Sequence, residues 1–479
     1  MTRSSETPVP AGWRLRPSRG LRSARNGEVL LGGSPMRMMT LSARGARMTQ
    51  GWLAGQPVGE DRVARLLARR LLDAGLAHPD PPHLASPSRD GTGDTVTIVV
   101  PVYGNAERLA RCLAPLTGGQ VPVIVVDDGS PDGDAIEAVA DRFGARYVRH
   151  PDNRGASVAR NTGLGLATTE LVAFLDSDCI PPPGFPTDLI GHLDDPVVAL
   201  VAPRVVSSGA RGGRIAAYER CHSALDMGPD PSLVRPYSWV WYVPSAAMLA
   251  RREALGAGFD EDLPLGEDVD LVWRLHDAGW QVRYEPRTSV DHEDRIDPIA
   301  WYRRRVAYNE SVAPLLRRHP ERLPALFASP PAALGWGAWL GGWWPVLAGF
   351  TGLRAMRLSR SVSKRLPRVA SWAARAAVET ALQEARDLGR AVAGPWAPFA
   401  VAALCASRDR GLVRRLAALV AVVIVVGWLE DDPELDPLSY AALRLADESA
   451  RGIGIWTACV RARDFRALLP RRPPPPSER

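Results

Sequence analysis

The acidic residues best placed to do chemistry sit in two short motifs. Asp176-Ser177-Asp178 follows the apolar run Leu171 to Leu175, and Gly266-Glu267-Asp268 opens a helical pattern that runs to about Asp277. Residues i and i+2 of an extended chain point the same way, so Asp176 and Asp178 can leave a sheet edge together and hold a hard divalent cation through oxygen. A cation there would neutralise charge developing on a diphosphate leaving group. Asp268, with Glu267 beside it, would serve as general base for an acceptor hydroxyl. An acidic first turn is also what a helix dipole favours, so capping explains the same pair. His292, in Ser289-Val290-Asp291-His292-Glu293, is a candidate for metal or phosphate contact, with a hydrogen-bonded structural histidine as the plain alternative.

Further polar groups cluster behind other apolar runs. One run ends in Pro101-Val102-Tyr103-Gly104-Asn105, another in Val125-Val126-Asp127-Asp128-Gly129-Ser130, and a third leads into His150 through Gly163, with Asn153, Arg154, Arg160 and Asn161. Acids and a Gly-Ser turn can hydrogen-bond a base and a ribose, while Arg154 or Arg160 can meet phosphate oxygens. Taken singly, these residues would equally make a turn, a helix cap or a surface loop.

These groups need a common edge. From Thr95 to Val205, apolar runs at Val96 to Val102, Val123 to Val126, Arg146 to Val148, Leu171 to Leu175 and Val197 to Val201 alternate with helical patterns. Apolar strands separated by helices predict a parallel sheet covered on both faces, whose carboxyl ends share one ligand crevice. Trp239 to Val243 reads as strand-like and Gln281 to Tyr284 as a strand.

Composition narrows the classes. The chain has 479 residues, 46% hydrophobic and 23% charged, which excludes a disordered or fibrous protein. It carries 59 basic against 53 acidic residues, a formal charge of +6. That surplus suits anionic ligands or an anionic membrane surface and calls for no nucleic acid. The five cysteines form no CxxC pair, which argues against structural zinc and a disulfide framework. The N-terminus shows no apolar signal-peptide core.

Residues 1–80 read as a small unit of their own: short strands at Trp13 to Arg16 and Glu28 to Gly32, then helices at about Ser42 to Leu53 and Asp61 to Ala74, a winged-helix-like layout. Residues 81–94 have linker composition. The catalytic domain is expected at 95–315, a helical region at 316–470 and a disordered tail at 471–479. No charge falls from Leu323 to Leu353, a length sufficient to cross a bilayer, whereas Val392 to Ser407 and Leu416 to Leu429 have the length of buried or interfacial helices. Arg354, Arg357, Arg360, Arg414 and Arg415 flank these stretches and suit an anionic leaflet.

Together, Val96 to Asn105, Val125 to Ser130, Asn153 to Gly163, Asp176 to Asp178 and Gly266 to Leu275 resemble family 2 glycosyltransferases of the GT-A fold. The resemblance implies a UDP-sugar donor, Mg or Mn as divalent cation, and inversion at the anomeric carbon. It implies that Pro101 and Asp128 face the base, that Tyr103, Asn153, Arg154, Arg160, Asn161 and Asp176 bind the donor, that Asp178 and His292 meet the metal, and that Asp268 with Glu267 does catalysis. The QxxRW signature of processive synthases is absent. The layout, with its small N-terminal module, is similar to the glycosyltransferases of mycofactocin biosynthesis, which implies a peptide-derived redox cofactor precursor as acceptor, glucose as the sugar, and β-linked products. The N-terminal module resembles peptide-recognition elements and would engage the precursor peptide. A lipid carrier or wall polysaccharide is the alternative acceptor. A DNA-binding sensor using Arg62, Arg65, Arg69 and Arg70 would leave the acidic motifs without purpose. The expected location is the cytoplasmic face of the cell membrane, or else the cytoplasm.

Overall fold

A computed structural model describes residues 6–82, 95–117, 121–208, 213–293, 297–363, 369–407 and 409–473. Residues 83–94 of the expected linker and 474–479 of the expected tail lie outside them. The chain divides into two compact units, Met1–Ser208 with Ser223–Asp294, and Gly209–His222 with Arg295–Arg479. The first compact unit runs to Asp294, and the helix Arg214–His222 belongs to the second unit.

The first unit is built on a nine-stranded sheet. Arg146–Arg149, Val123–Asp127, Val96–Val102 and Leu171–Leu175 run parallel. Ala247–Arg251 is inserted antiparallel, and Val198–Ser207 and Gln281–His292 then pair in parallel. Short antiparallel strands Cys179–Ile180 and Ser232–Val234 flank Gln281–His292. Burial explains the sequence of the central strands: every residue of Val96–Val102 and Leu171–Leu175 is buried, so both faces must be apolar. The helix Ala156–Leu166 approaches closely because Gly163 has no side chain; a Cβ there would sit 2.2 Å from Val99. Trp239 to Val243 forms no strand: Tyr237 adopts a left-handed backbone (φ 65°), and the segment is an irregular strap.

The N-terminal residues form a meander of Arg22–Ala24, Val29–Gly32 and Arg37–Thr40, then helices Ala43–Leu53 and Arg62–Asp73. Ser42 and Asp61 cap the helices by accepting from the Gly45 and Ala64 amides. Arg14–Pro17 pairs with Ala77–Asp80, a closing strand that the sequence pattern did not announce. Trp13, Leu15, Leu30, Trp52, Leu71 and Leu76 make the core.

This module is part of the same compact unit as the sheet and is joined to it by buried charge. Arg69, fully buried, donates to Asp195 at 2.6 Å, and Arg283 lies 3.9 Å from the same carboxylate. Arg16 bonds Glu285, Gln281 bonds Asp73 and Arg287 bonds Asp80 around that centre.

The second unit is helical. The uncharged stretch from Leu323 to Leu353 is not one span. It forms the short strand Leu326–Phe327, helix Pro330–Leu340 and the start of helix Trp344–Ser363, broken where Gly342 takes a left-handed backbone (φ 94°). Leu326–Phe327 pairs with Pro470–Arg471, so the expected tail begins in ordered chain.

Removing the carboxylate in Asp195→Ala strands two buried guanidinium groups and is expected to cost about 3–5 kcal/mol of stability. Chemical denaturation monitored by tryptophan fluorescence reads it, with the module and the sheet unfolding in one transition.

Candidate active site

The site is assembled at the carboxyl ends of the parallel strands. Asp127 and Asp128 leave the Val123–Asp127 strand buried, with different partners. Asp127 accepts from the Ser130 amide at 2.9 Å and from the Tyr147 hydroxyl at 2.7 Å. Asp128 accepts from the Arg154 amide at 3.0 Å and the Gly155 amide at 2.7 Å, and it meets His150 Nδ1 at 2.8 Å. His150 Nε2 in turn lies 2.9 Å from the Thr162 hydroxyl. Asp128, expected to face the base, thus also fixes the turn that launches the helix Ala156–Leu166. Gly129 is required there: its backbone is left-handed (φ 73°), and a Cβ would sit 2.5 Å from the Asp152 carbonyl carbon.

That helix carries the residue on which the site turns. Arg160 is buried and donates to Asp176 Oδ1 at 2.6 Å and to Glu267 Oε1 at 3.0 Å. Its guanidinium also lies 5.3 Å from the Phe259 ring centre. Arg160, a candidate donor-phosphate contact, ties the Asp176-Ser177-Asp178 turn to the start of helix Glu267–Asp277. Asn161 likewise points inward, exchanging hydrogen bonds with the Phe259 backbone and donating to Glu261.

Ser245 completes the junction. Its hydroxyl donates to Glu267 at 3.1 Å, and its amide lies 3.4 Å from Asp268 Oδ2. The Val269 amide donates to Asp268 Oδ1 at 2.8 Å. Burial, reinforced by the charge of Glu267, pushes the Asp268 carboxyl up to about 7, against the pull of the Val269 amide and Arg160. Part of its surface stays open, as a base requires. Burial also raises Asp176, although Arg160 opposes the shift. For Arg160, burial would lower proton affinity, but Asp176 and Glu267 outweigh it and hold the guanidinium firmly charged.

Asp178 and His292 come together from adjacent strands: Cys179 pairs with His292, and His292 Nε2 lies 3.6 Å from Asp178 Oδ2. Among the described residues no group of three His, Cys, Asp or Glu side chains is poised to hold a metal. One carboxylate and one imidazole nevertheless fit a cation that takes its remaining oxygens from a diphosphate and water. The strand end is pinned by Glu293, which accepts from Arg108 at 3.0 Å and Arg111 at 2.7 Å.

The other expected residues lie around this centre. Pro101 is buried in its strand, opposite Val126, while Tyr103 just beyond is 57% exposed. The Asn153 side chain and that of Arg154 are exposed beside Gly155. Ser245, Arg108 and Arg111 escaped the sequence reading because none stands in a motif, while His150 and Glu293 entered it only at the ends of motif strings, with no role of their own.

A family model described as glycosyl transferase family 2 matches residues 97–258. The "Pre-mycofactocin glycosyltransferase" of Mycobacterium tuberculosis is 41% identical over 97% of this chain and 98% of its own. The chain belongs to glycosyltransferase family 2. This glycosyltransferase is also 27% identical to the "Validoxylamine A glucosyltransferase" of Streptomyces hygroscopicus subsp. jinggangensis, over 48% of this chain and 63% of that one. Among solved structures, the mannosyltransferase PcManGT of Pyrobaculum calidifontis aligns over 73% of this chain and 91% of its own at 20% identity, with a TM-score of 0.37, too low to bear on mechanism. The sheet described above, mainly parallel with its acids at the carboxyl edge, is the GT-A fold of this family of enzymes.

If Asp268 must be ionised to accept a proton, kcat/KM of the glycosyltransferase rises with pH up to about 7 and levels above it. Below that point the expected slope is about tenfold per pH unit. A pH–rate profile of sugar transfer measures it.

Proposed function

We propose that this glycosyltransferase moves glucose from UDP-glucose to a hydroxyl of the peptide-derived mycofactocin precursor, with inversion, giving a β-glycoside. The acceptor reading is supported by 41% identity sustained along nearly the whole chain to a relative named for that substrate. The observation that carries the mechanism is the placement of Asp268, raised to about 7 by its surroundings, in one cluster with the Asp176-Ser177-Asp178 turn through Arg160 and Glu267.

In this reaction Asp268 takes the proton of the acceptor hydroxyl as its oxygen bonds to the anomeric carbon. The bond from that carbon to the diphosphate oxygen breaks on the opposite side, and UDP leaves with the electron pair. Glu267 and Ser245 hold the start of the helix so that the Asp268 carboxylate keeps its aim. Arg160 fixes Asp176 beside the donor ribose. Tyr103, exposed past its strand, offers a ring to the base, and Arg154 a charge to the phosphates. Asp178 and His292 would hold Mg or Mn, which supplies charge neutralisation on the diphosphate. Activity without any divalent cation would contradict that assignment.

The N-terminal module would hold the precursor peptide. We place the protein at the cytoplasmic membrane face, where nucleotide sugars are available, because apolar helices of the second unit remain unburied.

Asp268→Asn keeps the side-chain shape and removes the base. Turnover is expected to fall by about two to four powers of ten, with UDP-glucose binding retained. Single-turnover transfer and calorimetric titration of the donor in the presence of Mn2+ separate the two; transfer near the parent rate removes the base assignment.

A further inference from the structure

In the second unit, helix Arg410–Asp431 is apolar on both of its sides. Leu419, Val423 and Gly427, each four residues apart, face inward. A Cβ on Gly389 would lie 2.4 Å from the Leu419 carbonyl oxygen, and one on Gly427 would lie 2.5 Å from the Tyr440 hydroxyl, so the inward side is tightly packed. Val413, Ala417, Ala421, Val425 and Leu429, also four apart, are all exposed. That outward stripe runs about 24 Å at 1.5 Å per residue. Across the most apolar window of the helix, of mean hydropathy 2.2, only 22% is buried. A helix hydrophobic all round is expected inside a protein or against lipid, and among the described residues the outward stripe of this one has no protein over it.

Its neighbours extend the same surface. Helix Ala397–Ala406 has no buried residue, and Phe399 and Val401 are more than half exposed. The turn from Gly341 to Val346 is exposed throughout, with Trp343 at 70% and Trp344 at 66%. The Arg415 guanidinium lies 3.4 Å from where a Cβ on Gly342 would be, so this turn adjoins the start of helix Arg410–Asp431. Arg410 and Arg414 are exposed at that same end, and Asp409 is the only acid between Ala397 and Leu429. Exposed tryptophans beside arginines at the rim of an apolar face match a headgroup boundary bearing negative charge.

We infer that the face formed by Ala397–Ala406, the outward stripe of Arg410–Asp431 and the Gly341–Val346 turn seats on an anionic phospholipid surface. The inference rests on the membrane-face reading above and names the part of the chain that makes the contact, which is not the Leu323 to Leu353 stretch as a span.

Flotation of the full-length protein with vesicles of phosphatidylglycerol and phosphatidylcholine, or of phosphatidylcholine alone, tests it. The parent protein is expected to float with the anionic vesicles. Trp343→Ser/Trp344→Ser/Val425→Glu should lower the bound fraction by about tenfold or more, with sugar transfer to a soluble acceptor unchanged. Arg410→Glu/Arg414→Glu, which leaves the apolar face intact, should lose the preference for anionic vesicles. A parent protein that floats with neither vesicle overturns the membrane reading itself. A parent that floats together with equally bound triple and arginine variants overturns only the assignment of this face. A parent that stays unbound as a dimer, and a triple variant that is a monomer, would show a second copy on the face and refute the lipid proposal.

Discussion

One guanidinium holds the candidate active site together. Arg160 is out of water and bonded to Asp176 on one side and Glu267 on the other. A buried charge is tolerated only when paired, and here each partner belongs to a different functional segment. The turn that presents Asp176 and Asp178 and the helix that presents Asp268 are therefore positioned by the same cation. Burial, reinforced by the charge of Glu267, raises the proton affinity of Asp268 even though Arg160 opposes the shift.

The same economy of buried charge appears at the far side of the sheet, with a different purpose. Asp195 gathers Arg69 from the N-terminal module and Arg283 from the strand Gln281–His292. That strand ends at His292, beside Asp178. The module is thus fastened to the strand that delivers one of the two candidate metal ligands, and is better regarded as a fixed part of the catalytic unit than as a tethered accessory.

Much of this was legible in the sequence, for identifiable reasons. Strands buried on both faces read as unbroken apolar runs, so Val96–Val102 and Leu171–Leu175 were visible, and Ser42 and Asp61 marked helix starts because capping chemistry is local. The convergence of the acidic motifs followed from the parallel sheet. What a side chain does inside that convergence was not legible. Arg160 and Asn161 sit in a polar, glycine-punctuated segment that reads as solvent-facing, yet the helix turns both toward protein. Ser245 contributes through a strap whose path depends on the left-handed Tyr237. The apolar stretch from Leu323 to Leu353 looked continuous because hydropathy is blind to backbone, and the left-handed Gly342 divides it.

The claim that Arg160 couples the two acidic segments is tested most directly by a double-mutant cycle on folding stability with Asp176→Asn and Glu267→Gln. Two residues sharing one buried counter-ion should show a coupling energy of about 1 kcal/mol or more, whereas additivity within about 0.5 kcal/mol would mean that they act independently and would contradict the account.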